Sequence, residues 1–88
     1  MASIRNLKKD VNFVFGEIIE AVYVWQLTNS DKDDKASETI IDEAITSFDN
    51  FMDRINEKNV ENKKAHFNAI SRDLEAKGNE LLDSLNKL

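Results

Sequence analysis

The chain has 88 residues, enough for one small hydrophobic core and too few for two. Hydrophobic residues make up 41% and charged residues 33%, a balance that supports a folded domain rather than a disordered one. Twelve Lys and Arg against 17 Asp and Glu leave a net charge of −5, which argues against nucleic acid as a partner because phosphate contacts need cationic surface.

The absence of cysteine removes disulfides, thiolate metal sites and Cys nucleophiles together. A single histidine, His66, leaves little for a His-rich metal centre or a His-based catalytic pair. Zero Pro and only two Gly favour long, uninterrupted helices.

The first periodic segment runs from about Ser3 to Thr28. Ile4, Leu7, Val11, Val14, Phe15, Ile18, Ile19, Val22 and Trp25 form one broad apolar stripe at helical spacing. From Ile4 to Leu27, 14 of 24 residues are hydrophobic, more than a stripe facing two neighbours requires. Glu17 and Glu20 interrupt the segment, and the longest apolar run after them is Ala21 to Trp25, far short of the ~20 residues a bilayer span needs. Neither a secretory signal nor a lipidation motif is read at the ends, so a soluble cytoplasmic protein is expected.

A polar stretch, Thr28 to Lys35, follows. Ser30 with Asp33 resembles a capping box with Asp in place of Glu or Gln, so a second helix is expected to start between Asp31 and Asp34 and to end near Asn56. Ile40, Ile41, Ala44, Ile45, Phe48, Phe51, Met52 and Ile55 make its apolar stripe. Asn59 suits either an N-cap for the third helix or a left-handed residue closing the second. The third segment runs from about Val60 to Lys87. Val60, Phe67, Leu74, Leu81 and Leu88 recur every seven residues, with Ile70, Leu82 and Leu85 alongside, a pattern that favours coiled-coil-like packing. The expected fold is all-α: a single domain of three long antiparallel helices, about 3–28, 31–56 and 60–87, in an up-down-up bundle.

Residues 31–57 carry nine negative and three positive charges, so the acid is concentrated in the second segment. Glu38, Asp42, Asp49, Asp53 and Glu57 share one side of its wheel as an acidic ribbon. Lys58, Lys63 and Lys64, across the next connection, are placed to offset it as a solvated face. The functional alternative is a dock for a basic partner.

Other candidate chemistry is weak. Asp31, Asp33 and Asp42 fall at calcium-loop ligand positions, but Lys35 sits where a fifth-position ligand belongs and Ala36 where the tight turn needs Gly. Glu17 and Glu20 lack the Glu-x-x-His partners of a di-iron bundle. His66 reads as a boundary residue on the third helix. Gly78 falls on that helix's core stripe, where it suits a close helix approach or a kink. No catalytic residue, metal ligand, cofactor or small-molecule substrate is assigned.

The back of the first helix is less ordinary. Phe13, Val24 and Leu27 fall opposite its core stripe, with Gly16, Glu17 and Glu20 on the same side and Tyr23 at the flank. In one reading these residues form an association surface, for a homodimer or for another protein. In the other, Val24 and Leu27 fold beneath the Thr28–Lys35 connection and Phe13 is singly exposed, which is common. The function expected is therefore a non-catalytic interaction or structural module acting through the first helix. The alternative is a small acidic inhibitor or immunity-type protein that covers a basic partner with the ribbon.

Overall fold

A computed structural model describes residues 4–32 and 34–88. The fold is all-α: α1 (Ile4–Thr28), α2 (Lys35–Ile55) and α3 (Lys63–Asn86) pack as an up-down-up three-helix bundle, with no strand among the described residues. The Ser3 start read for the first helix lies outside the described residues. So does Asp33, and with it the Ser30–Asp33 capping pattern and one position of the calcium-loop comparison.

Helix ends follow local chemistry. The Thr28 hydroxyl donates back to the Val24 and Trp25 carbonyls, both at 3.1 Å, and Asn29 donates to Trp25 through backbone N–H and side-chain amide, so α1 ends on satisfied carbonyls. α2 begins only at Lys35, preceded by Asp34, whose side chain makes no capping bond. Instead, the Ser37 hydroxyl donates to the Asp34 carbonyl at 2.8 Å, and Gln26 of α1 donates to Ser37 at 2.9 Å. Ser37 is fully buried, so this polar link ties the end of α1 to the start of α2.

The second connection also differs from the sequence expectation. α2 ends at Ile55 with Asn56 as its C-cap, and α3 starts at Lys63. Asn62 is the N-cap, its side chain accepting from the Ala65 N–H at 3.1 Å. Asn59 does take a left-handed conformation (φ 64°), but within the connection rather than at the helix end. Val60 therefore precedes α3, and the seven-residue apolar recurrence operates within the helix only from Phe67 to Leu81.

The core is built from the three stripes. Leu7, Val11, Phe15, Ile18 and Val22 of α1 meet Ile40, Ile41, Ala44, Phe51 and Ile55 of α2 and Ile70, Leu74 and Leu81 of α3. Phe15 is its aromatic centre, edge-on to Phe48 with centroids 6.5 Å apart and tilted against Phe51 at 5.8 Å. Among the described residues every buried side-chain polar atom has a partner. The bundle measures 51 × 18 × 18 Å, and its radius of gyration is 14.7 Å. A compact chain of this length would have about 12 Å. A rod this thin gives each helix two neighbours and one face in water.

Candidate interaction surface

The face of α1 turned away from the core is apolar and open. Phe13 is 68% exposed, Val24 53% and Leu27 80%, and Tyr23 beside them is also exposed. At 80%, Leu27 is not covered by the connection that follows α1, and neither is Val24. The folded-under reading of these two residues is thereby overturned: the chain turns away at Asn29 and leaves them in water. Gly16, Glu17 and Glu20 lie exposed among them. A Cβ built on Gly16 would meet nothing within 4 Å, so no helix of the same chain makes use of that glycine.

Shallow grooves flank this face. One, of about 270 Å³, lies between α1 and α3 and is lined by Phe13, Val14, Ile18, Gly78 and Leu82. The other, of about 260 Å³, lies between α1 and α2 and is lined by Gly16, Ile19, Ile45 and Phe48. Ile45 and Leu82, read from the sequence as core stripe residues, are instead about half exposed on the outer lips of these grooves. Both sit at the margins of their stripes, where only the position of the neighbouring helix decides burial. The apolar surface is consequently wider than the back of α1.

The acidic ribbon is exposed as expected, but it is shorter on the helix than the spacing implied. Glu38, Asp42, Asp49 and Asp53 lie on α2, whereas Glu57 falls beyond its end. Among the described residues, no ion pair joins Lys58, Lys63 or Lys64 to it. Two cations pair on the seam between α2 and α3. Lys77 bonds Glu43 at 2.9 Å and Glu80 at 3.3 Å, and Arg54 bonds Asp73 at 2.9 Å while lying over the Phe51 ring. The hydrogen bond to Glu43 raises the Lys77 pKa above its ordinary value; partial burial opposes this, and Glu80 adds to it.

His66 is a boundary residue with a definite task. Its Nε2 donates to the Arg54 carbonyl at 2.6 Å, closing the carboxyl end of α2, and the Glu57 carboxylate lies 3.9 Å away. A histidine twelve residues past that carbonyl carries no sequence signal for this contact. Among the described residues, no group of His, Asp and Glu is placed to hold a metal ion, and no helix is long and apolar enough to cross a membrane.

No protein-family model matches the chain, and neither a curated protein nor a solved structure is measurably similar to it. Its own surface is therefore the basis for a functional reading.

Proposed function

We propose that this chain is a non-catalytic interaction or structural module that associates, with itself or with another protein, through the outer face of α1. The observation that carries this reading is the exposure of Phe13, Val24 and Leu27 on one side of α1, with Leu82 in the groove beside Phe13 and Ile45 in the groove beside Gly16. Large apolar side chains scattered singly need no explanation, but several along one side of a helix call for one. Covering each would contribute roughly 1.5 to 3 kcal/mol, a sizeable incentive for a small domain of modest stability.

A groove between α2 and α3 is lined by the ion-paired Arg54, Asp73, Lys77 and Glu80 and by Asp53 of the ribbon. No catalytic role is assigned to them.

The test is a comparison of the full chain with its Phe13→Asp and Val24→Asp variants, by mass in solution, by melting point and as immobilised bait. The expected result is that the wild-type chain retains copies of itself or a second protein and that both variants lose them. Variants that match wild type in mass, melting point and captured protein would remove the α1 face from consideration.

A second reading is supported by the ribbon. Glu38, Asp42, Asp49 and Asp53 have no ion-pair partner among the described residues, which leaves α2 a strongly anionic face suited to covering a basic protein surface. Ribbon-driven binding weakens steeply from low to high ionic strength, whereas binding through the apolar α1 face does not.

A further inference from the structure

We propose that the Lys9–Glu20 stretch of the outer face of α1 is covered by a second copy of this chain, packed antiparallel about a two-fold axis that passes between the levels of Val14 and Phe15. This takes the interaction reading above as its premise and adds the occupant, its direction and its register.

Charge selects the occupant. The first half of α1 carries Arg5, Lys8 and Lys9, and Glu17 and Glu20 lie in its second half; with Asp10 the helix is neutral overall. A basic helix laid on this face would meet Arg5 and Lys9. Two copies meeting through α2 would bring their acidic ribbons together. Through α1, whose own charges sum to zero, two copies avoid that local repulsion, and only antiparallel: the cationic half of each then lies over the anionic half of the other. A parallel pair would set Lys9 against Lys9 and Glu20 against Glu20.

Shape supplies the register. On a helical wheel Lys9, Phe13, Gly16 and Glu20 fall within about 60° of one another, and all four are exposed. Phe13 is an uncovered knob, and Gly16, with no atom of its own chain near a built Cβ, is an uncovered hole. Setting Phe13 of one copy over Gly16 of the other fixes the midpoint of the contact. Lys9 opposite Glu20 has that same midpoint, so one two-fold axis serves both pairings and doubles them. Among the described residues, neither Lys9 nor Glu20 has an ion pair within its own chain. The size is also suitable. The chain exposes 6218 Å². A typical monomer of 10.1 kDa exposes about 5,300 Å². The excess follows from the elongated shape of the bundle and leaves room for the ~800 Å² that each partner contributes to a standard interface.

The experiment is sedimentation equilibrium of the full chain at low salt over a wide concentration range, with circular dichroism confirming that each variant is helical. The wild-type mass should climb from 10.1 kDa toward twice that value. Phe13→Asp should hold it near the monomer. Lys9→Glu and Glu20→Lys should each weaken the dimer about tenfold, and the double swap should restore it, as complementary charges across an interface do. A wild-type chain that remains monomeric throughout overturns the second-copy occupant, while capture of another protein through the same face is decided separately by the bait comparison. A dimer indifferent to Phe13→Asp overturns the surface. A double swap no tighter than the single reversals overturns the antiparallel register.

Discussion

The Val14 side chain stands 3.2 Å from where a Cβ on Gly78 would be, so α1 and α3 approach each other across a glycine. Gly16 is the opposite case, since nothing lies within 4 Å of its built Cβ. The two glycines should therefore respond oppositely to added side chains. Gly78→Leu forces α1 and α3 apart and should lower stability by about 1 to 3 kcal/mol. Gly16→Ala removes only the cost of a mid-helix glycine and should raise stability by about 1 kcal/mol. Urea melts in the Phe13→Asp background, which keeps the chain single, would test both. A Gly16→Ala variant no more stable than its parent would show that the open space beside this glycine is not as described.

Ser37 should be the most costly small polar residue to change. It is fully buried, accepts from Gln26 and donates to the Asp34 carbonyl. Ser37→Ala removes the acceptor of the Gln26 amide and one of two donors to the Asp34 carbonyl, which keeps the Glu38 N–H at 2.8 Å, and should cost about 0.5 to 1.5 kcal/mol. The loss should appear in a denaturant melt, and hydrogen exchange should localise it to the first turn of α2. A cost no larger than that of Ser→Ala at exposed Ser30 would mean that the link is dispensable.

Lys77 gives the bundle an alkaline dependence. Its pKa is raised in the folded state, chiefly by the hydrogen bond to Glu43. A raised lysine pKa means that the folded state holds the proton more tightly than the unfolded chain does. The associated stability is complete below the ordinary value of 10.5 and is lost as pH rises through the higher folded value. Lys77→Met should therefore be less stable than wild type at neutral pH, with the gap narrowing above pH 10.5. A gap unchanged through that range would show that it arises from packing of the side chain rather than its charge.

Leu81 reports on the core itself. It is fully buried where α3 meets the other helices. Leu81→Ala should cost about 2 to 5 kcal/mol, a large share of a small domain's stability. Leu82→Ala, at the neighbouring exposed position, should cost far less in a monomer. Thermal melts of the pair would show whether the α3 stripe is aligned as described, since equal losses would mean that Leu82 is buried as well.

The outward apolar positions of α1 were legible before folding. Phe13, Val24 and Leu27 follow from subtracting one helical stripe from an over-apolar segment, because side-chain direction repeats with the helix period whatever the surroundings. The helix starts were less legible. Asn59 is good capping chemistry, yet α3 waits for Lys63, with Asn62 as its cap, and α2 starts at Lys35, at the late end of the expected window. Several Asn, Asp and Ser residues in each connection can cap, and the packing of the helices selects among them. Lys58, Lys63 and Lys64 make no close ion pair with the ribbon among the described residues, because nearness along the chain does not by itself bring flexible side chains across a turn.

Three amphipathic helices, their order and their inward faces were determined by the sequence alone, since each depends on a pattern within a single segment. What lies at the edge of each face was decided only in the tertiary structure. Ile45 and Ile41 are the same residue type on the same helix, yet one stands half in water and the other is buried. Gly16 faces open solvent and Gly78 faces Val14. Lys77 finds Glu43 on another helix, 34 residues away. Such differences depend on where a neighbouring helix lies around the axis, and no single segment carries that information.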